Sequence, residues 1–192
     1  MNTSCSLFVT LILLSYIKNC EGLCKNVKNV ICKSVSEISR QVISKIPNIK
    51  KVTRLEVVFN TELEIRPRSF ESAVELQWLV INSNNFYQIY RDTFKDLPLI
   101  HLHLEYNEIN TIEPGAFYNL SSLQKIRLEY NNLETIPIGV FKNLPIQELA
   151  LSKNKIHTIE NMALEDLPNL KRLFLNENKL QSICIQDVLT HP

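Results

Sequence analysis

Residues 123–144 read LQKIRLEYNNLETIPIGVFKNL, and the spacing of their apolar side chains decides the fold. Leucine or isoleucine stands at positions 1, 4, 6, 11 and 14 of this stretch, asparagine at position 9 and phenylalanine at position 19. The alternation around positions 4 and 6 is typical of a short strand with one buried face. The asparagine amide can both donate to and accept from main-chain groups where the chain turns off the strand.

The same pattern occurs six times, at intervals of 23 or 24 residues. The copies begin at Val52, Leu76, Leu99, Leu123, Ile146 and Leu170. Position 9 is always asparagine: Asn60, Asn84, Asn107, Asn131, Asn154 and Asn178. Position 14 is always isoleucine: Ile65, Ile89, Ile112, Ile136, Ile159 and Ile183. Position 19 is Phe70, Phe94, Phe117, Phe141, Leu164 and Val188.

One copy alone cannot bury its apolar face, so neighbouring copies must stack to complete the core. We therefore predict a solenoid whose six short strands form one parallel sheet. The phenylalanine column fills the volume behind the sheet. Because this back is wider than a strand, the stack should curve and leave the strands on its concave face.

The pattern resembles the typical class of extracellular leucine-rich repeats, found in Toll-like receptor ectodomains, Slit-type proteins and small matrix proteoglycans. The resemblance covers roughly residues 24–192 and implies an α/β horseshoe with about six repeats at 52–192. Residues 23–51, with Val30-Ile-Cys32 and Ile46-Pro-Asn-Ile49, are similar to the cysteine-bearing N-terminal cap of this family. Asn26 stands where the family has a further cysteine, so we expect a reduced cap.

The chain begins with an apolar run, Leu7 to Leu14, that is too short to cross a bilayer, which takes about 20 residues. We interpret residues 1–22 as a secretory signal peptide, with cleavage after Gly22, or after Ser15 as a second option. No later segment reaches membrane-spanning length. The expected location is therefore secreted and extracellular, without a stable membrane anchor.

The cysteines fit an oxidising compartment. Within the family resemblance, Cys24 and Cys32 are the preferred disulfide of the cap. Cys5, and Cys20 if cleavage follows Gly22, leave with the signal. Cys184 is then left without a partner cysteine, and its register position predicts exposure to solvent. Three readings stay open for it: an intermolecular disulfide, a partner in a missing C-terminal segment, or a reduced thiol.

Composition and motifs argue against an enzyme. The chain has only three glycines, too few for a phosphate-binding loop, and lacks the G-x-S-x-G, H-E-x-x-H and C-x-x-C motifs. His101 and His103 share a strand face with Glu105, but the spacing fixes no third metal ligand. The sequence predicts no catalytic residue, metal or cofactor.

Charge is unevenly distributed along the chain. Residues 23–54 carry eight basic side chains and one acid, whereas residues 55–192 carry twelve bases and eighteen acids. The basic end could attract an anionic glycan, lipid head groups or an acidic partner. The alternative is a solvated cap in which lysine serves solubility.

Strand alternation predicts which side chains face outward on the concave side. Aromatic and basic side chains are frequent among them and are common anchors of protein interfaces. The candidate ligand-binding residues are Trp78, His101, His103, Tyr106, Lys125, Arg127, Tyr130, Arg172 and Phe174. Asn119 begins an Asn-Leu-Ser glycosylation sequon on the outer side of the coil, where a glycan would leave the concave face free.

These observations predict a secreted binding module that recognises a protein ligand or co-receptor, or a glycan, in signalling, adhesion or innate immunity. No nucleic-acid partner is expected. Two alternatives remain. One is an assembly subunit that dimerises through its C-terminal edge and a disulfide of Cys184, and the other is a truncated receptor ectodomain.

Overall fold

The computed structural model describes residues 7–10, 29–33, 37–58, 63–164 and 167–181, with the backbone alone for the first two ranges. Eight parallel strands form one sheet in chain order. The strands are β1 (Leu7–Thr10), β2 (Asn29–Lys33), β4 (Arg54–Val57), β6 (Trp78–Val80), β8 (His101–His103), β10 (Lys125–Arg127), β12 (Glu148–Ala150) and β14 (Arg172–Phe174). Each of the six repeats contributes one strand, as the repeat spacing predicts, and β1 and β2 add two strands before the first repeat.

Three pairs of two-residue strands lie farther along the coils. They are β3 (Glu37–Ile38) with β5 (Glu64–Ile65), β7 (Gln88–Ile89) with β9 (Thr111–Ile112), and β11 (Thr135–Ile136) with β13 (Thr158–Ile159). Five position-14 isoleucines, Ile65, Ile89, Ile112, Ile136 and Ile159, occupy these strands and are mostly buried, and Ile183 lies outside the described residues. In the described residues the helices are α1 (Arg40–Ser44) and a 3-10 turn at Ile49–Lys51, both in the cap region. The outer side of the repeats is built from turns, so helix is a minor part of the fold.

The register of the sheet places equivalent residues side by side. Arg54 pairs with Trp78, Trp78 with His101, and the row continues through Lys125, Glu148 and Arg172. In the three-residue strands the middle residue points inward, and Leu79, Leu102 and Ile126 are fully buried. The predicted repeat register is therefore confirmed.

The position-9 asparagines form a buried ladder between coils. Asn131 Nδ2 donates to the carbonyl of Leu104 in the preceding coil at 2.9 Å, and its Oδ1 accepts from Ile109 N at 3.0 Å. Asn84, Asn107, Asn154 and Asn178 donate across coils in the same way. Each amide thus satisfies main-chain groups that the bend would otherwise leave buried and unpaired. Asn60 lies outside the described residues.

The position-19 phenylalanines stack behind the sheet. Successive ring centroids of Phe70, Phe94, Phe117 and Phe141 are 5.9, 5.8 and 5.7 Å apart, with the rings nearly parallel. Neighbouring strands are only about 4.8 Å apart. The back of each coil therefore takes more room than the front, which gives the stack its curvature and makes the strand face concave.

At the N-terminal end, β2 pairs with β4, with Val30 opposite Leu55, so the cap region continues the sheet. Leu7–Thr10, inside the predicted signal peptide, pairs with β2 as a further parallel strand. Cleavage of a signal remains a prediction. Cys24 and Cys184 lie outside the described residues, and of Cys32 only the backbone is described, so the predicted disulfides remain predictions. Among the described residues no helix is long and apolar enough to span a bilayer.

Candidate binding surface on the concave face

The outward side chains of the strands form three columns across the concave face. The first runs through Arg54, Trp78, His101, Lys125, Glu148 and Arg172. The second runs through Glu56, Val80, His103, Arg127, Ala150 and Phe174. The third continues after the strands with Asn82, Glu105, Glu129, Ser152 and Asn176. The sheet brings the predicted site residues together on this face, with Tyr106 and Tyr130 along its edge.

Trp78 is the centre of an aromatic cluster. Its ring stacks on His101 with centroids 3.9 Å apart and lies 6.3 Å from the ring of His103. The Arg54 guanidinium sits 5.3 Å from the Trp78 ring centroid, within cation–π range. Burial, followed by the electrostatic influence of His103 and Lys125, lowers the pKa of His101. The cluster therefore favours a neutral imidazole on the concave face.

Glu148 is held between two cations of the first column. Lys125 Nζ pairs with Glu148 Oε1, while Arg172 approaches Oε2 through both Nη2 at 2.7 Å and Nε at 2.8 Å. Burial raises the pKa of Glu148, but the hydrogen bonds from Lys125 and Arg172 outweigh it and lower the pKa overall. This carboxylate is saturated by its own neighbours.

Glu105 and Glu129 are less well paired. Glu105 Oε1 lies 3.3 Å from His103 Nδ1 and 3.8 Å from Arg127 Nη1, and Glu129 Oε1 lies 3.5 Å from Arg127 Nε. The Oε2 atoms of both glutamates, Arg127 Nε and one ring nitrogen each of His101 and His103 are buried without a hydrogen-bond partner among the protein groups. Such a concentration of unsatisfied polar atoms is unusual in a folded protein.

The pKa values of the two carboxyl groups are shifted in opposite directions. Burial raises the pKa of Glu105, but the His103 hydrogen bond, a backbone hydrogen bond and the Arg127 charge together lower it. Burial, together with the charge of Glu105, raises the pKa of Glu129 above its ordinary value. One guanidinium therefore lies near two carboxylates, at 3.8 Å from Glu105 and 3.5 Å from Glu129.

A ladder of exposed side chains follows the edge of the sheet. Tyr106 and Tyr130 stack with ring centroids 4.2 Å apart, and Lys153 Nζ lies 4.6 Å from the Tyr130 centroid while donating to its hydroxyl at 2.7 Å. The Lys153 hydrogen bond lowers the pKa of Tyr130. All three residues have a left-handed backbone, with φ of 57 or 58°. Lys153 was not among the predicted site residues, although it occupies the same repeat position as the two tyrosines.

Two further predictions concern other parts of the surface. Asn119 is exposed on the outer side of its coil, where its Nδ2 donates to Asp96 Oδ1 at 2.8 Å. Its glycosylation remains a prediction. In the described part of the chain, no three histidine, cysteine, aspartate or glutamate side chains are grouped closely enough to hold a metal ion.

The strand register, the asparagine ladder and the phenylalanine column define a solenoid built of leucine-rich repeats. The family model described as leucine rich repeat matches residues 74–133, 99–146 and 145–187, which together make up more than half of the chain. The chain belongs to the leucine-rich repeat family. Comparison with curated proteins gives no match.

Among solved structures, the chain is similar to a crystal structure of the TLR13-ssRNA13 complex, with a TM-score of 0.54 and 22% sequence identity over 84% of this chain. The chain spans only 26% of the matched chain in that structure. At this identity the likeness establishes the fold alone, a solenoid of stacked repeats.

Proposed function

We propose that this chain is a secreted recognition module that binds a protein ligand or co-receptor through its concave face. One observation carries the proposal: four aromatic side chains are exposed where the core has no need of them. The exposed fractions are 36% for Trp78, 51% for Tyr106, 40% for Tyr130 and 41% for Phe174. Partly exposed aromatics beside arginine are the residues that most often anchor protein interfaces.

The scaffold suits recognition by docking. Most of its outward side chains stand on strands whose inner residues are fully buried (Leu55, Leu79, Leu102, Ile126 and Leu149), so these ligand-facing positions are fixed before binding. A rigid surface loses little conformational entropy when a partner docks. In this proposal no bond is made or broken, no cofactor takes part, and the chain is not an enzyme.

Charge on the concave face favours protein over nucleic acid. The three columns contain four basic residues, Arg54, Lys125, Arg127 and Arg172, and four glutamates, Glu56, Glu105, Glu129 and Glu148. Each base already lies within ion-pair distance of one of these glutamates. Binding of a polyanion gains from free cations that neutralise phosphates, and here the cations are neutralised within the protein. Glycan recognition remains a secondary candidate for the aromatic cluster around Trp78.

The test is affinity capture with the secreted protein, using a Trp78→Ala/Phe174→Ala double variant. We expect the variant to lose at least about tenfold in affinity for the captured partner, since one interface aromatic contributes about 2 kcal/mol. The matched control is Tyr87→Ala, because Tyr87 is 58% exposed and lies outside the three columns and the tyrosine edge. Equal capture by the parent protein and the double variant would show that the concave face is not the binding surface.

A further inference from the structure

The segment that leads into the first repeat buries one apolar residue in every three. These anchor residues are Ile43, Ile46, Ile49 and Val52, and each is at most 6% exposed. The backbone N–H of each of the last three donates to the carbonyl of the anchor three residues earlier, at 3.1 to 3.2 Å. Tight turns therefore join the anchors, and the two residues between successive anchors face away from the core.

The residues between the anchors form an exposed ridge at the N-terminal end of the repeats. They are Ser44, Lys45, Pro47, Asn48, Lys50 and Lys51, and all six are exposed to solvent. We call this set the cap ridge. Half of its members are lysines, and two of these are adjacent in the chain. The turns thus concentrate positive charge along one short line on the surface.

The charge of the cap ridge is not balanced by acids of the chain. The sequence before the first repeat contains only two acids, Glu21 and Glu37. In the described part of the chain, none of the three ridge lysines belongs to an ion pair. Glu75 holds the position of Lys51 on the next coil, and it too is outside these ion pairs. The ridge therefore differs from the concave columns, where every base has a glutamate beside it.

We propose that the cap ridge binds a sulfated polysaccharide, a glycosaminoglycan of the heparin type, through Lys45, Lys50 and Lys51. The inference rests on the proposed function only for its extracellular setting. Short lysine-rich segments on a protein surface attract linear polyanions. The flexible lysine side chains follow the sulfates along the polysaccharide, and each contact releases bound counterions, which drives association.

A protein partner and a membrane fit the ridge less well. Protein interfaces are anchored by aromatic residues and arginine and are poor in lysine, and the ridge has neither aromatic residues nor arginine. Segments that lie on a membrane insert large apolar side chains, whereas the uncharged ridge members are Ser44, Pro47 and Asn48. The anionic leaflet of a cell membrane also faces the cytoplasm. A flexible polyanion needs only exposed cations that are not already paired.

The first experiment titrates the full chain with a fluorescent heparin decasaccharide and follows its anisotropy at several salt concentrations. At physiological salt we expect a Kd on the order of 10 μM, within the range of non-specific polyanion binding. Three contacts predict a slope of about 2 for log Kd against log salt concentration, since each contact with a single-stranded polyanion contributes about 0.7. A hyaluronan decasaccharide, which has carboxylates but no sulfates, should bind at least about fivefold more weakly.

The second experiment repeats the titration with variants of equal net charge. The ridge variant is Lys45→Gln/Lys50→Gln/Lys51→Gln. The control variant replaces three exposed lysines on three other coils, which also lack an ion pair within the described ranges: Lys142→Gln/Lys155→Gln/Lys179→Gln. The ridge variant should bind heparin at least about tenfold more weakly, with a salt slope well below that of the parent protein, because its counterion release is lost. The control variant should bind within about twofold of the parent.

Several outcomes would overturn the proposal. They are no heparin binding by the parent protein, equal binding of the two polysaccharides, and equal weakening by the ridge and control variants. Vesicles with phosphatidylserine test a membrane as the occupant, and ridge-dependent binding to vesicles in place of heparin would also overturn it. Thermal unfolding checks that each variant is folded. If the triple ridge variant is not, the three single replacements decide, because each should lower the salt slope by about 0.7.

Failure here and failure of the proposed function give different results. Trp78→Ala/Phe174→Ala leaves the cap ridge intact, so it should bind heparin as the parent does while losing the captured protein partner. The ridge variant should show the reverse. If the parent protein captures its partner through the concave face but does not bind heparin, the proposed function stands and the ridge proposal is wrong. If heparin binds through the ridge and the double variant retains the partner, the ridge proposal stands and the concave-face function is wrong.

Discussion

Replacing Asn131 by alanine tests the physical basis of the stack. Only 6% of the Asn131 surface is exposed, and its side chain makes four hydrogen bonds. Three of these go to carbonyls that keep a second donor after the change: Leu104 O retains the amide of Asn107, Leu128 O that of Asn154, and Glu129 O the backbone N–H of Tyr106. The fourth partner, Ile109 N–H, has no other acceptor among the described residues.

The expected loss of stability follows from this count. A buried N–H left without a partner costs about 1–3 kcal/mol, and the three shared hydrogen bonds contribute about 0.5 kcal/mol each. We therefore expect Asn131→Ala to lower the free energy of unfolding by about 3 kcal/mol, a large fraction of the 5–15 kcal/mol typical of a domain. Urea unfolding followed by circular dichroism measures the change.

Asn132→Ala is the matched control. Asn132 is the next residue, is only partly buried, and makes no side-chain hydrogen bond in the described structure. Its replacement should cost less than about 0.5 kcal/mol, as surface changes usually do. A loss below about 1 kcal/mol for Asn131→Ala, or equal losses for the two variants, would refute the role of the asparagine ladder.

Three further predictions concern the core and the charges of the concave face. Phe117→Ala interrupts the ring stack on both sides and should cost about 3–5 kcal/mol in urea unfolding; a cost under 1 kcal/mol would contradict tight packing there. Trp78→Ala uncovers the ring of His101, so the lowered pKa of His101 should rise toward 6.5 in an NMR titration, and an unchanged midpoint would exclude burial by Trp78 as its cause. The pKa of Glu148 is lowered in the fold, so its contribution to stability is present above the ordinary glutamate range and is lost as the pH falls through the folded pKa. Glu148→Gln should therefore reduce the loss of unfolding free energy between pH 7 and pH 3. Equal losses in the parent protein and the variant would count against this ion pair.

The fold could be predicted because repetition averages out local ambiguity. A single strand such as Trp78–Val80 is too short to assign with certainty, but six copies in one register leave one consistent arrangement. The register also fixed the concave columns, because strand alternation determines which face a side chain takes. Placing Trp78, His101, Lys125 and Arg172 on the concave face therefore needed no knowledge of side-chain conformations.

The contacts within the site could not be predicted in the same way. The stacking of Trp78 on His101 and the poor pairing of Glu129 depend on rotamers that are set by neighbouring coils. Lys153 was missed because its type differs from Tyr106 and Tyr130, and an aromatic pattern does not include a cation. Comparing the residues at the eighth position of every repeat would have found it.

The left-handed residue before each ladder asparagine has a consequence for how such a chain can diversify. Ser83, Tyr106, Tyr130, Lys153 and Glu177 share a φ of 56 to 58° although they belong to four different residue types. The bend is thus imposed by the coil and accommodates serine, tyrosine, lysine and glutamate alike. Substitutions here can retune specificity one coil at a time while the interior stays as it is, so new ligands can evolve without a new fold.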